Sequence, residues 1–334
     1  MASRTLRSTK RPRSNSIPSP AQVTSSHIPK PEAGLSSLAS HKEVSIPTLD
    51  SPNKAKKLKL QTSFGAQSPF PDFGHPTPEE ALDVFHLLRK AHPGKKATRQ
   101  RPSQSNNAAK PCASVPNVIE SLISTILSQN TSAKNSSGAK ASLDRAFGRN
   151  NFAAIASAPR DDVIEAIRSG GLANKKAATI QNILHSIKER HGDYSLQHLA
   201  SEADGLRMSD DEIMKELISY DGVGPKTASC VLLFCLCRDS FAVDTHVFRL
   251  SKLLGWVPPK ADRVLTQAHL DLRIPDELKY GLHVLMIQHG RVCKGCKKTD
   301  STADCILRTY LAEKKADTRD DSREVYLEST KKGP

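Results

Sequence analysis

Lys226 and Asp244 are the two residues of this chain whose setting most suggests chemistry. The lysine lies in ISYDGVGPKTASCVLLFCL (218–236), just past two glycines and at the mouth of an apolar run. One reading is a tight turn with an incidental surface charge, and Gly-x-Gly between helices is most often just that. The other is a hairpin that grips a phosphate and presents an amine. Gly222 and Gly224 can take positive φ without a Cβ penalty and let a phosphate approach the backbone. Pro225 suits the first helical position, where its missing N–H costs little. The N–H groups of that helix start, aided by the helix dipole, suit an anionic oxygen. Gly222, Val223, Gly224 and Thr227 are therefore the candidate phosphate-contacting residues. Asp244 lies in FAVDTHVFR (241–249), between an apolar entry and a new helix. It is a candidate N-cap. A lysine and a carboxylate, each at a helix start, are also the minimum set for one reaction. The amine attacks a carbon at the aldehyde level, and the carboxylate stabilises positive charge developing there.

The elements that must position this pair are helical. Thr77-Pro78-Glu79-Glu80 combines an N-cap, a proline at the first helical position and a capping-box acid, which predicts a helix over Pro78–Ala91. Three-to-four-residue apolar spacing predicts further helices over Val118–Leu127, Ala139–Phe147, Arg160–Ser169, Lys175–His191 and Asp210–Tyr220. The same spacing continues over Lys226–Cys237, Thr245–Leu254, Lys260–Asp271 and Pro275–His289. No convincing alternating strand occurs. The expected fold class is all-α.

The chain has 334 residues and a net charge of +14, from 49 Lys and Arg against 35 Asp and Glu. That surplus favours a polyanionic partner. No apolar run is long enough for a membrane span, and no apolar signal-peptide core opens the chain. The seven cysteines then read as core thiols or metal ligands before disulfides. Residues 1–75 are rich in Ser, Pro, Lys and Arg without periodicity, and are expected to be a disordered basic tail. Lys10-Arg11-Pro12-Arg13 and the cluster 54–59 read as nuclear-import signals, with a mitochondrial transit peptide as the alternative.

The pairing of LISYDGVGPKTA with VDTHVFR resembles the helix-hairpin-helix DNA glycosylase superfamily, in its endonuclease III branch. LSQN-T (127–131) and GLANKKA (171–177) extend the resemblance, which covers about 78–311. It implies a two-lobed all-α fold with a DNA cleft between the lobes. Residues 115–254 would form the central lobe. Residues 76–114 with 255–315 would form the terminal-helix lobe, and 316–334 a charged tail. By the same resemblance Lys226 is the nucleophile and Asp244 the catalytic aspartate. Gln129 would fill the gap left by an extruded base, and Leu172 would wedge into the duplex. His246 and Arg249 also match motif positions, where a packing role is the commoner one for the histidine. The implied partner is double-stranded DNA carrying damaged bases or abasic sites, met by a monomer. The implied activity is glycosylase with abasic-site lyase, on oxidised pyrimidines. Alternatives within the fold are mismatched thymine and 5-methylcytosine, the latter because LGWVP (254–258) resembles the Demeter-type branch. A noncatalytic DNA-binding module is the rival class.

Endonuclease III relatives end in four cysteines that hold a [4Fe–4S] cluster. Here Cys293, Cys296 and Cys305 supply three thiols where the cluster needs four ligands, and Tyr310 stands near the place of a fourth. No cofactor is therefore expected, the alternative being a remnant cluster site. Zinc held by three cysteines and a histidine such as His289 is a further reading, although the spacing departs from common zinc patterns. Cys230, Cys235 and Cys237 read as small buried hydrophobes.

Overall fold

The computed structural model of this chain describes residues 67–102, 115–203, 206–297 and 303–316. The two basic clusters of the tail, Cys112 and residues 317–334 lie outside the described residues.

Helix α1 spans Pro78–Ala91, as its capping box dictates. The Thr77 hydroxyl accepts from the Glu80 N–H at 3.2 Å, and the Glu80 carboxylate accepts from the Thr77 N–H at 2.9 Å. Ala81, Val84 and Leu88 form its buried stripe. Helix α2, Val118–Ser128, is capped by Asn117 and is buried at every position from Val118 to Leu127. Its one carboxylate, Glu120, is answered by Lys140 at 3.2 Å and Arg149 at 2.8 Å. Helix α3 is Ala133–Phe147 and begins before the expected Ala139. Its polar first turns carry no apolar period, but the Ser132 side chain caps them. The short α4, Phe152–Ser157, had no signal long enough to read as a helix. Helix α5 is Arg160–Ile167 and runs into a 3₁₀ turn at Arg168–Gly170. Helix α6 is Ala173–His191, closed by Gly192 at φ +73°.

A second 3₁₀ turn, Gln197–Leu199, precedes a minimal antiparallel pair, β1 (Glu202–Ala203) with β2 (Leu206–Arg207). Helix α7 is Asp210–Ile218, opened by a Ser209–Glu212 capping box. Helix α8, Pro225–Phe234, stops short of the expected Cys237, which itself sits at φ +54°. Then come α9 (Thr245–Leu253), α10 (Arg263–Arg273), α11 (Asp276–Val292) and α12 (306–316). No described helix is long and apolar enough to cross a membrane.

Two apolar cores organise these elements. The first gathers α2 to α8 around Leu122, Ile126, Leu143, Ile180, Leu217 and Val231. The second gathers α1 and α9 to α12 around Leu88, Val247, Leu250, Leu282, Met286 and Leu307. Each fully buried Leu, Ile or Val contributes about 1.5–3 kcal/mol of transfer free energy. The apolar residues of helix α9, Val247, Phe248, Leu250 and Leu253, pack in the second core. There the apolar face of α9, Val247 and Leu250, meets α11. A smaller cluster of Cys230, Leu233, Phe234 and Ala242 with Tyr280 and Val284 joins α8 to α11.

The described residues 68–73 pack against α10. Phe70 and Phe73 set ring edges against His269 on α10, 5.5 and 5.8 Å between centroids, and the Ser68 hydroxyl meets His269 Nδ1 at 2.7 Å. Two aromatic rings in an otherwise polar stretch are enough to dock it. Trp256 and Val257 are core residues, 2% and 3% exposed, so the LGWVP segment packs the second core.

Candidate active site

Helix α8 is buried at every residue except Lys226. Its second position is thus the one place where the helix meets solvent, and a lysine stands there. The preceding turn is closed by Val223 N–H to Tyr220 O at 3.1 Å. The helix start is tightened by Thr227 N–H to Gly224 O at 2.9 Å and Ala228 N–H to Gly224 O at 3.0 Å. The N–H groups of Gly222 and Gly224 take no part in these bonds. Val223 is 1% exposed and its N–H is spent, so it is a core residue of the turn. The Thr227 N–H is spent as well.

The two glycines serve different needs. Gly222 has φ +88°, and a Cβ there would stand 2.5 Å from Thr179 Cγ2. Gly224 has φ −114°, so the positive φ expected of it is not used, and open space lies where its Cβ would be. At Gly224 the missing side chain leaves room outside the turn.

Asp244 is the N-cap of α9. Its Oδ1 accepts from His246 N–H and Val247 N–H, both at 2.8 Å. The cap holds one oxygen and leaves Oδ2 outside it. The segment before it is fixed by α10: Phe241 N–H donates to Asp271 Oδ1 at 2.5 Å and Val243 N–H to Gln267 Oε1 at 3.2 Å. The charges of Lys226 and Asp244 both act on two buried groups, the Cys230 thiol and the His283 ring. Cys230 stands one turn beyond Lys226, and burial pushes its thiol up, so it stays protonated. Burial pushes His283 down to about 4. Its Nδ1 donates to Ala242 O at 2.8 Å, and its Nε2 has no partner. The chain brings an amine and a carboxylate to one place backed by two neutral side chains.

Gln129 caps the C-terminus of α2, and its Nε2 donates to Thr227 Oγ1 at 3.3 Å, beside Lys226. Leu172 precedes α6 in the left-handed region, φ 53° and ψ 32°, and is 55% exposed. A leucine in that conformation is strained by about 1–2 kcal/mol. Among the described residues it is the most exposed large hydrophobe. Both loops converge on Lys176, a buried residue missed from sequence. Its Nζ donates to Leu127 O at 2.7 Å, Thr131 Oγ1 at 2.6 Å and Gly170 O at 2.9 Å. The single proton of the Thr131 hydroxyl is shared between Gly170 O at 2.6 Å and Gln129 O at 2.9 Å. Burial alone pushes Lys176 down to about 8. The signal was its position: it falls on the apolar stripe of α6, a turn before Ile180.

Arg249 donates to Gly290 O at 2.9 Å, and His246 packs against Gly290, where α9 and α11 nearly touch. Both are half-buried. At the end of α11, His289, Cys293, Cys296 and Cys305 place their donor atoms within 4.8 Å of one another. The fourth donor is therefore upstream of the cysteines. Tyr310 is elsewhere, its hydroxyl on Asp83 at 3.2 Å.

Residues 123–275 match the HhH-GPD superfamily of base excision DNA repair proteins. The chain is 39% identical over 275 residues to a putative DNA glycosylase of Arabidopsis thaliana, covering 74% of this chain and 91% of that protein. It is 33% identical over 201 residues to an endonuclease III of Sulfolobus acidocaldarius, covering 60% and 83% respectively. Its fold matches that of endonuclease III in a non-covalent complex with DNA, at a TM-score of 0.51 and 23% identity, covering 70% of this chain and 94% of that one.

Proposed function

We propose that this chain, which belongs to the HhH-GPD superfamily of base excision DNA repair proteins in its endonuclease III-like branch, is a bifunctional glycosylase and abasic-site lyase. The observation that carries the reading is Lys226, the single unburied residue of an otherwise buried helix. It emerges beside two glycine N–H groups left open by the turn.

The target base lies inside the duplex stack and must be extruded, at a cost of a few kcal/mol that is smallest at a damaged pair. Gly222 and Gly224 N–H groups hold a flanking phosphate, which positions the strand without reading its sequence. Leu172 enters the duplex and Gln129 occupies the vacated place. As the C1′–N bond breaks, the base leaves with the bonding electrons and takes a proton, and Asp244 stabilises the positive charge on the sugar. The neutral Lys226 amine bonds to C1′. Ring opening, with O4′ taking a proton, yields the Schiff base. Loss of a C2′ proton then expels the 3′ phosphate and nicks the strand. The substrate class we assign is an oxidised pyrimidine in double-stranded DNA, acted on by a monomer. The basic tail clusters support nuclear import.

The test is borohydride trapping on abasic duplex DNA, followed by strand cleavage on duplexes carrying single lesions. The wild-type chain forms a covalent adduct and nicks, and Lys226→Gln does neither. Trapping and nicking by Lys226→Gln at the native rate would end the lyase assignment. Preferential cleavage at mismatched thymine or 5-methylcytosine would move the chain to another substrate class of the same fold.

A further inference from the structure

The group at the end of α11 has the dimensions of a site for one metal ion. Tetrahedral zinc, with Zn–S near 2.3 Å and Zn–N near 2.0 Å, sets a sulfur and a nitrogen ligand about 3.5 Å apart and two sulfurs about 3.8 Å apart. The Cys305 Sγ to His289 Nε2 distance is 3.5 Å, and all four donor atoms lie within 4.8 Å of each other. A [4Fe–4S] cube is ordinarily held by four thiolates that stand outside an eight-atom core. Three thiols and an imidazole drawn this closely together do not fit around such a core.

The surroundings are those of a ligand set. The His289 ring turns Nε2 to the thiols and Nδ1 to His92 Nε2, 3.0 Å away at the end of α1. An imidazole that ligates through one nitrogen commonly donates from the other to a fixed acceptor, which sets its tautomer and orientation. Arg249 Nη2 stands 3.7 Å from Cys296 Sγ. Three thiolates around a dication leave one negative charge, and the guanidinium faces it. Gly295, within the Cys293–Cys296 knuckle, has no room for a side chain: a Cβ would fall 2.8 Å from Asp304 O and from Cys305 Cβ, and closer still to Ala303 O. The knuckle backbone is thereby pressed against the segment 303–305 that delivers Cys305. Arg308 Nε donates to Gly295 O at 2.8 Å and secures the same approach. The other His and acid group among the described residues, His191, His198 and Glu216, faces solvent and is engaged with the Tyr220 hydroxyl.

We infer that His289, Cys293, Cys296 and Cys305 bind one Zn²⁺ ion as a structural Cys3His site, in the place where endonuclease III relatives hold an iron–sulfur cluster. Binding releases the three thiol protons to solvent. The ion ties the end of α11 to the start of α12 and, through His92, to α1.

The experiment is metal and sulfide analysis of the tag-free full chain, produced in iron-replete and zinc-replete cultures and purified without air. The expected result in both is one zinc per chain, without stoichiometric iron or sulfide and without the broad visible absorbance of a cluster. His289→Ala and Cys305→Ser lose most of the zinc, and His289→Cys retains it. His92→Ala weakens zinc binding about tenfold or more, since it removes the orienting acceptor. Should the ligand variants fail to fold, Co²⁺ added to the metal-free wild-type chain decides: intense tetrahedral bands with thiolate charge transfer are expected. Four irons with four sulfides per chain would overturn the inference. So would zinc content unchanged by His289→Ala, or a metal-free chain whose thiols react freely and give only weak octahedral cobalt bands. None of these readouts depends on DNA or on the fate of the lyase assignment.

Discussion

Lys176 Nζ donates to the Thr131 hydroxyl at 2.6 Å, joining the loops that carry Gln129 and Leu172, the two residues proposed to meet DNA. Gln129 stands two residues before Thr131, and Leu172 follows the Gly170 carbonyl that Lys176 also holds. Lys176→Met keeps the length of the side chain and removes all three donors. Stability is expected to fall by about 2 kcal/mol, because buried carbonyls lose their partner. Excision at a lesion is expected to fall about tenfold to a hundredfold, the cost of a small misplacement of positioning groups. A pH series separates this lysine from a surface charge. Its folded value of about 8 lies below the unfolded value of about 10.4. Between the two the unfolded chain binds more protons, so wild-type stability rises with pH across that window. Urea midpoints of Lys176→Met should lack that rise.

Leu172 offers a case where function and stability part. Leu172→Gly removes the left-handed strain, so the urea midpoint is expected to stay level or rise by up to about 1 kcal/mol. The same variant should lose most excision of a paired lesion while still cleaving a preformed abasic site in single-stranded DNA. Leu172→Ala retains the strain and should lose excision without the gain in stability. Equal loss on duplex and single-stranded substrates would argue against a wedge.

The hairpin glycines should separate as their geometries do. Gly222→Ala must hold a positive φ and displace Thr179, and is expected to cost about 1–2 kcal/mol or more in thermal or urea denaturation. Gly224→Ala has an ordinary φ and an open direction for its methyl, so its stability should change by less than about 1 kcal/mol. Its methyl nevertheless occupies the approach to the turn. Gel-shift affinity for abasic duplex should therefore fall in both variants, and in Gly224→Ala without unfolding.

Asp244→Asn tests whether the carboxylate is more than a cap. Asparagine caps helices as well as aspartate does, so the start of α9 and the urea midpoint are expected to survive. Base excision should fall by two orders of magnitude or more, since a neutral amide does not balance a cationic sugar. DNA affinity should remain within a few-fold of wild type. Asp244→Ala should add a loss of about 1 kcal/mol from the cap. Excision rates and melting curves on the same preparations give both readings.

Much of this architecture was legible because it is written in local chemistry. Thr77, Pro78 and Glu80 mark a helix start that the structure reproduces, since a capping box satisfies its own backbone groups regardless of context. The helix starts at Lys226 and Asp244 were legible for a similar reason, since Pro225 at a first helical position and an N-cap carboxylate mark them locally. What was hidden depends on tertiary contact. The start of α3 is polar, so no period announces it; its cap does, and only once the helix is known. Val223 reads as a turn residue, yet the turn spends its N–H internally. Lys176 and His283 each replace an apolar residue on a buried stripe, which sequence alone reads as an interruption. His289 could not be tied to the cysteines by spacing, because the geometry that gathers them is set by the end of α11 and the fit of Gly295.

The amine and the carboxylate belong to different cores. Lys226 begins a helix packed in the first, and Asp244 begins one packed in the second. The small cluster around Cys230, Phe234 and Tyr280 lies where those two helical bodies are clamped, immediately behind the pair. In the proposed reaction the distance between amine and carboxylate is therefore a property of how the two bodies register. Catalytic rate becomes a sensitive gauge of that alignment, and a slight shear along the seam would silence the enzyme while both halves remained folded.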